Sequence, residues 1–243
     1  MIEKQLTLQN KDVNMFSIMR LSRLYEYLQE ISILDTEQLG AGEKVTRDHG
    51  ILWVVVQQRV QIARLPKYGE HVLLSSWPGT CVHVLFPRYY EMKDDHGNVL
   101  VKGSALWALM DAETRKVVFP ERRHIVVPAE ERQSQAPLPV QLKAEETGKK
   151  QSFTVPFSWC DMNGHMNNAR YLDLGDDLLV HLQKGIIPME ISCEYRSEAR
   201  LHQQIEAAWN EDEDHAYVQL NHERCICRIL LAYDHGTRRK NSL

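Results

Sequence analysis

Trp159-Cys160-Asp161-Met162-Asn163-Gly164-His165-Met166-Asn167-Asn168-Ala169-Arg170-Tyr171-Leu172 is the stretch from which the fold of this chain can be read. It places an acid, several amides and a histidine within residues 161–168. Asp161, Asn163 and His165 occupy every second position, so in an extended segment their side chains would lie on one side. Asn167 or Asn168 can cap a following helix. We therefore predict a small polar site at the entrance of a helix.

Apolar residues after this stretch are spaced as one buried stripe of a helix, which we expect to run from about residue 168 to 182. A similar stripe predicts an earlier helix that begins at Asn14 or Ser17 and ends near Leu34. The positions expected to face the core are Ile18, Leu21, Leu24, Tyr25, Leu28 and Ile31 in the earlier helix, and Ala169, Tyr171, Leu172, Leu178, Leu179 and Leu182 in the later one.

The order of predicted elements occurs twice. Val and Ile enrichment, partial alternation and turn residues predict strands at 2–8, 51–62, 71–77, 82–93 and 99–110, and again at 152–159, 189–196, 204–210, 215–221 and 225–233. Between them, residues 128–150 are rich in Glu, Gln, Pro and Lys, which fits neither a helix nor a sheet core. We predict an α+β fold with a first domain at 1–128, a linker at 129–150 and a second domain at 151–243.

Composition and charge exclude several classes of protein. With 243 residues, of which 43% are hydrophobic, the chain can build a sizeable core. A net charge of −4 argues against a protein that coats nucleic acid or an anionic membrane. No stretch reaches the roughly eighteen apolar residues needed to span a bilayer, so we expect no membrane insertion. The odd, sparse set of five cysteines and the absence of a signal peptide predict free thiols in a reducing cytosol.

The side chains of the polar stretch have two interpretations. In a catalytic site, His165 could take a proton from water near neutral pH, Asn163 could donate an amide N–H, and a carboxylate could orient either partner. In the plainer interpretation, an Asx-rich turn caps the next helix and explains Asp161 and Asn163 without any chemistry. Glu198, at the end of a predicted strand, would likewise be a solvent-facing acid within a charged run.

Two separated motifs carry a family resemblance. Trp159-x-Asp161-x-Asn163-x-His165-x-Asn-Asn, followed by a tyrosine, resembles the signature of acyl-acyl carrier protein (acyl-ACP) thioesterases. The segment 194–199, Glu-Tyr-Arg-Ser-Glu-Ala, resembles the second motif of that family. The resemblance implies a tandem hot-dog fold, in which each half has a long helix wrapped by an antiparallel sheet. It also implies that Asp161, Asn163, His165 and Glu198 are catalytic.

We expect no cysteine to be the nucleophile. Plant members of the family carry Glu-Cys where this chain has Glu198 and Ala199, so the thiol is missing at that position. Cys160 should point away from the alternating polar side chains and belong to the core. Cys225 and Cys227 are too closely spaced for a typical zinc site, so we assign no metal and no cofactor.

The resemblance implies a cytosolic hydrolase that cleaves fatty acyl-ACP to free fatty acid and ends chain elongation. Its partner would be a carrier protein bearing a fatty acyl-phosphopantetheine. A homodimer of this chain is also possible. The first domain would shape the acyl-chain pocket, although its aromatic residues, such as Trp53, Trp77 and Trp107, also fit an ordinary core. An acyl-CoA thioesterase is the nearest alternative. A catalytically silent acyl-binding module is another, against which the four polar residues argue.

Overall fold

The computed structural model describes residues 1–123, 125–130 and 134–234. Its helices and strands follow the same order in the two halves of the chain. The first half contains β1 (Ile2–Thr7), α1 (Leu21–Gln38), α2 (Glu43–Asp48), β2 (Ile51–Ile62), β3 (His71–Pro78), β4 (Leu85–Asp94) and β5 (Val99–Asp111). The second half contains β6 (Lys149–Thr154), α3 (Arg170–Leu178), α4 (Val180–Gln183), β7 (Glu190–Tyr195), β8 (Gln204–Glu211), β9 (His215–Asn221) and β10 (Cys225–Ala232).

The ten strands form one antiparallel sheet with the order β1-β3-β4-β5-β2-β7-β10-β9-β8-β6. This order is symmetric about the central pair, because β1-β3-β4-β5-β2 in one half corresponds to β6-β8-β9-β10-β7 in the other. The halves join where Gln57 to Gln61 of β2 pair with Glu194 to Glu190 of β7. The prediction of an α+β fold with two similar halves is therefore confirmed.

Helices of both halves pack on the same sheet through the apolar stripes predicted from the sequence. The six residues predicted to face the core from the first helix have at most 3% of their surface exposed, and the six predicted in the second half at most 8%. Burying one such large apolar side chain stabilises a fold by about 1.5–3 kcal/mol. The apolar stripes of the helices and the apolar residues on the inner face of the sheet form one hydrophobic core. This core fixes the ends of the strands, from which the loops of the site extend.

Two helix predictions were wrong in detail. α1 begins at Leu21 instead of Asn14 or Ser17, because the preceding residues form a turn in which Ser17 has a left-handed backbone. The predicted helix at 168–182 is broken into α3 and α4 at Leu179, which has an extended backbone. The Glu211 carboxylate accepts the backbone N–H groups of Val180 and His181 at 2.9 and 2.8 Å, and so caps the start of α4. The short α2 was not predicted.

The predicted strand at 152–159 differs most from the observed structure. The sixth strand, β6, ends at Thr154, and Phe157–Trp159 form a short 3-10 helix. Pro156 lies between them and cannot donate a ladder hydrogen bond. β4 likewise begins at Leu85 instead of residue 82.

Between β5 and β6, part of the predicted linker lies on the sheet. The Ser104 hydroxyl donates to the carbonyl of Pro137, and the Arg228 guanidinium donates to the carbonyl of Leu142. Leu142 is buried. The chain between the halves therefore packs against strands of both, while the domain boundaries at 128 and 150 stay predictions.

Candidate active site

The polar stretch forms a tight turn, so the expectation of an extended segment was wrong. The backbone N–H of Asp161 donates to the carbonyl of His165 at 2.9 Å, and that of Gly164 donates to the carbonyl of Asp161 at 3.0 Å. Gly164 has φ +76°, a left-handed conformation that glycine adopts without steric cost. The Asp161 carboxylate accepts the backbone N–H of Asn163 at 2.9 Å. The turn, and not strand alternation, brings residues 161–165 together.

His165 is held beside Glu198 by backbone pairing. His165 forms an antiparallel bridge with Arg200, and the N–H of Met166 donates to the carbonyl of Ala199 at 2.8 Å. As a result, Nε2 of His165 lies 3.2 Å from Oε2 of Glu198. About 21% of the histidine side chain and 33% of the glutamate side chain are exposed, so a substrate and water can reach both.

A residue from the first half completes this arrangement. Arg115, in the loop after β5, forms an ion pair through Nη2 with the other carboxylate oxygen of Glu198, Oε1. Glu198 therefore lies between an imidazole of its own half and a guanidinium of the other half. Arg115 could not be predicted from the sequence as a site residue, because it lies in no recognisable motif and far from the polar stretch.

The surroundings of His165 favour its neutral form. Burial lowers the pKa of His165 below its ordinary value, the positive charges of Arg115 and Arg200 lower it further, and the negative charge of Asp161 opposes them. Arg115 also compensates the charge that Glu198 presents to the ring. In a neutral imidazole one ring nitrogen carries a proton and the other accepts one, so neutral His165 has one nitrogen that can accept a proton.

Asn163 and Asn167 play different parts in the turn. The Asn163 side chain is exposed, and within the described part of the chain its amide group makes no hydrogen bond, so it is free for a ligand. The Asn167 side chain accepts the N–H of Ala169 at 2.9 Å just before α3. This contact is an Asx turn that precedes the helix. The N-cap position of α3 is Ala169, where no side chain caps the helix, so the expectation that Asn167 or Asn168 caps it was wrong.

The same turn occurs in the first half, but with the apolar residues Phe16 and Ile18 at the places of Asn163 and His165. The N–H of Asn14 donates to the carbonyl of Ile18 at 2.8 Å, as Asp161 does to His165. The N–H of Met19 donates to the carbonyl of Pro66, as Met166 does to Ala199. By this correspondence Ile18 and Leu65, both buried, occupy the places of His165 and Glu198. At these two corresponding places, therefore, only the second half offers the acid-base pair.

Comparison with known families agrees with this geometry. One family model, the acyl-ACP thioesterase N-terminal domain, matches residues 2–122, and its companion, the acyl-ACP thioesterase C-terminal domain, matches residues 142–240. The chain belongs to the acyl-ACP thioesterase family. Both motifs that carried the resemblance lie within the second match.

The curated relatives of this chain have low sequence identity to it. A chloroplastic acyl-ACP hydrolase of Cuphea viscosissima is 25% identical over 202 residues, which cover 73% of this chain and 47% of the relative. A chloroplastic palmitoyl-acyl carrier protein thioesterase of Gossypium hirsutum is 23% identical over 88% of this chain and 55% of the relative. The chain thus spans about half the length of these relatives.

Solved structures of family members share the whole fold. An acyl-ACP thioesterase from Bacteroides thetaiotaomicron superposes with a TM-score of 0.82 at 18% identity, covering 96% of this chain and 97% of the other. The 12:0-ACP thioesterase from Umbellularia californica superposes with a TM-score of 0.81 at 16% identity, covering 96% of each chain. These likenesses confirm the tandem hot-dog fold. Among the described residues, no helix is both long and apolar enough to cross a membrane.

Cys160 lies at the edge of the core, with its Sγ 3.7 Å from the carbonyl oxygen of Pro156. Ala199, at the place of the plant cysteine, is completely buried. We therefore expect Cys160→Ser to keep any thioesterase rate within about threefold of the wild type, because the thiol lies against the Pro156 carbonyl at the edge of the core. The rate of thiol release from an acyl thioester measures this. Complete loss of activity in a variant with an unchanged melting temperature would make Cys160 a catalytic residue.

One group of three side chains in the described part of the chain has the spacing of metal ligands: Asp212, Asp214 and His215. The Asp212 carboxylate already accepts the backbone N–H groups of Asp214 and His215 at 2.9 and 2.8 Å. It therefore closes the turn between β8 and β9. We assign this cluster a structural role and no metal.

A small crevice lies just before α3, between α1 and the sheet. Its volume is about 10 Å³, which is room for about one water molecule. The lining residues are Tyr25, Gln29, Val55, Gln58, Trp107, Asn168 and Ala169. Because Asn168 and Ala169 directly follow the polar turn, this crevice lies next to the candidate site.

Proposed function

We propose that this protein hydrolyses the thioester of a fatty acyl-ACP to a free fatty acid and holo-carrier protein. The observation that carries the proposal is the contact of 3.2 Å between His165 Nε2 and Glu198 Oε2 in a partly exposed site, where burial and the positive charges of Arg115 and Arg200 lower the pKa of His165. A neutral imidazole next to a carboxylate can accept a proton from an attacking water. The family to which the chain belongs supports the thioester as the bond that is cleaved.

The reaction follows from the positions of the polar side chains. Water attacks the carbonyl carbon while the pair of His165 and Glu198 accepts its proton. The free amide of Asn163 holds the water or donates to the carbonyl oxygen, which gains negative charge. When the carbon-sulfur bond breaks, the proton returns to the departing thiolate. Asp161 shapes the turn that presents Asn163 and His165.

We infer that the acyl group of the substrate is carried by an acyl carrier protein. We also infer that its hydrolysis ends fatty acid chain elongation. The Cuphea relative is named as an acyl-ACP hydrolase and the Gossypium relative as a palmitoyl-acyl carrier protein thioesterase, which supports a carrier-bound substrate. The five cysteines of the chain are unpaired, in keeping with the cytosolic location that we propose. Neither motif separates a carrier protein from CoA.

A direct assay tests whether the substrate is carried by acyl carrier protein or by CoA. The same acyl chain is presented on holo-carrier protein and on CoA, and thiol release is followed over a range of substrate concentrations. We expect kcat/KM to be higher for the carrier-bound substrate. Equal or faster hydrolysis of acyl-CoA would assign the protein to the alternative function, and turnover of neither would reject the enzymatic proposal.

Trp107 narrows the crevice, and its removal should change the preference for acyl chain length. Trp107→Leu enlarges an apolar space, so we expect kcat/KM for long acyl chains to rise by about 10-fold relative to short ones. Trp53→Leu is the matched control, because Trp53 packs edge-on against Phe86 and does not line the crevice, so it should leave the ratio unchanged. An unchanged ratio in Trp107→Leu would place the acyl pocket elsewhere.

A further inference from the structure

Arg115 reaches the site from a short hairpin, residues 111–116, that continues β5. The hairpin is closed by backbone hydrogen bonds from Arg115 to Asp111 at 3.0 Å and from Asp111 to Lys116 at 2.9 Å. The Asp111 carboxylate also accepts the N–H groups of Glu113 and Thr114 at 3.2 and 2.8 Å. The backbone of the hairpin is therefore fixed by its own hydrogen bonds, independently of the Arg115 side chain.

The backbone of Arg115 is in an unfavourable conformation. Its φ is +57°, in the left-handed region where the last loop position of such hairpins favours glycine. A residue other than glycine in this region is strained, and such residues concentrate at functional sites. The hairpin alone gives no reason for arginine at this position. The contact that its side chain makes with Glu198 does.

We propose that Arg115 is a positioning residue, by which the first half of the chain holds the Glu198 carboxylate against His165. One carboxylate oxygen is bound to the guanidinium and the other faces the imidazole, so rotation of the carboxylate is restricted. The inference rests on the proposed function and deepens it. It implies that the docking of the two halves assembles the acid-base pair.

Loss of Arg115 should raise the pKa of His165. The charged groups that face His165 are Asp161 in its own turn, Glu198 and Arg200 after β7, and Arg115 from the hairpin. Without Arg115, one nearby positive charge disappears and Glu198 is no longer compensated. Both changes favour the imidazolium, so the pKa of His165 should rise. The acid limb of the rate profile should then move to higher pH, since the neutral ring is the base.

The test compares Arg115→Gly with Arg115→Lys, and Lys116→Gln serves as a control that removes a neighbouring exposed charge. Glycine suits the left-handed backbone, so Arg115→Gly should keep or raise the melting temperature. Because a misplaced catalytic group can cost about 100-fold, we expect kcat to fall about 10- to 100-fold with little change in KM. Lysine keeps the charge, so Arg115→Lys should keep the acid limb in place and lose less rate.

Two further measurements separate this inference from the proposed function. In a Glu198→Gln background, Arg115→Gly should cause no additional loss of rate. The His165 imidazole can be titrated by NMR without substrate, and its pKa should rise in Arg115→Gly even if no thioester is ever hydrolysed. Wild-type kcat and an unshifted His165 titration in Arg115→Gly would overturn the inference, as would a rate loss that parallels a lower melting temperature.

Discussion

His165→Ala and Glu198→Ala should each lower kcat by at least about 10²–10⁴-fold, because a positioned general base contributes a factor of that order. The two side chains are in contact at 3.2 Å and act on the same water, so the double variant should lose little more than either single variant. Substrate binding should change far less. Steady-state kinetics on the better of the two thioester substrates measures these losses.

A second histidine-glutamate pair provides the matched control. His181 Nδ1 lies 2.6 Å from Glu211 Oε1, and the ring stacks on Tyr233 at the break between α3 and α4. His181→Gln should keep kcat near that of the wild type even if it lowers the melting temperature. Retained activity in His165→Ala with an intact fold would remove His165 from the catalytic set. A loss in His181→Gln as large as that in His165→Ala would mean that the assay reports stability.

Asn163→Ala should lower kcat by about 10²–10³-fold if its amide donates to the oxygen of the thioester, because the loss of one such donor typically has that effect. The side chain is exposed and makes no hydrogen bond with other described residues, so its removal should leave the melting temperature unchanged. A kcat within threefold of the wild type would show that Asn163 is only a turn residue.

Asp161→Asn is the comparison that separates chemistry from turn formation. The first-half turn already has asparagine at the corresponding place, where Asn14 Oδ1 accepts the N–H of Phe16 at 3.0 Å. Asp161→Asn should therefore keep the turn and the melting temperature. The variant also loses a charge that raises the pKa of His165, so the acid limb should move to lower pH. A large loss of kcat with an intact turn would keep Asp161 in the catalytic set.

Much of the fold was predictable because it depends on local patterns. The strand Ile51–Ile62 was predicted at its observed bounds from its Val and Ile content, and every inward residue of the two helical stripes is buried. Helix ends were less predictable. Ser17 looked like a helix start, and Leu179 looked like part of a continuous stripe. Their backbones depend on hydrogen bonds with residues distant in sequence, such as the cap that Glu211 gives to α4.

The sequence by itself determined the kinds of side chain in the candidate site, because the spacing of Asp161, Asn163 and His165 and the placement of Glu198 after a strand are local features. It also determined that the halves are alike, since the apolar periodicity occurs twice. Only the tertiary structure decided that Glu198 meets His165 and that Arg115 crosses from the other half. The first contact follows from the backbone bridge between His165 and Arg200 within the second half. The second is possible because β2 pairs with β7, and the register of two strands so far apart in the chain follows from the packing of both halves.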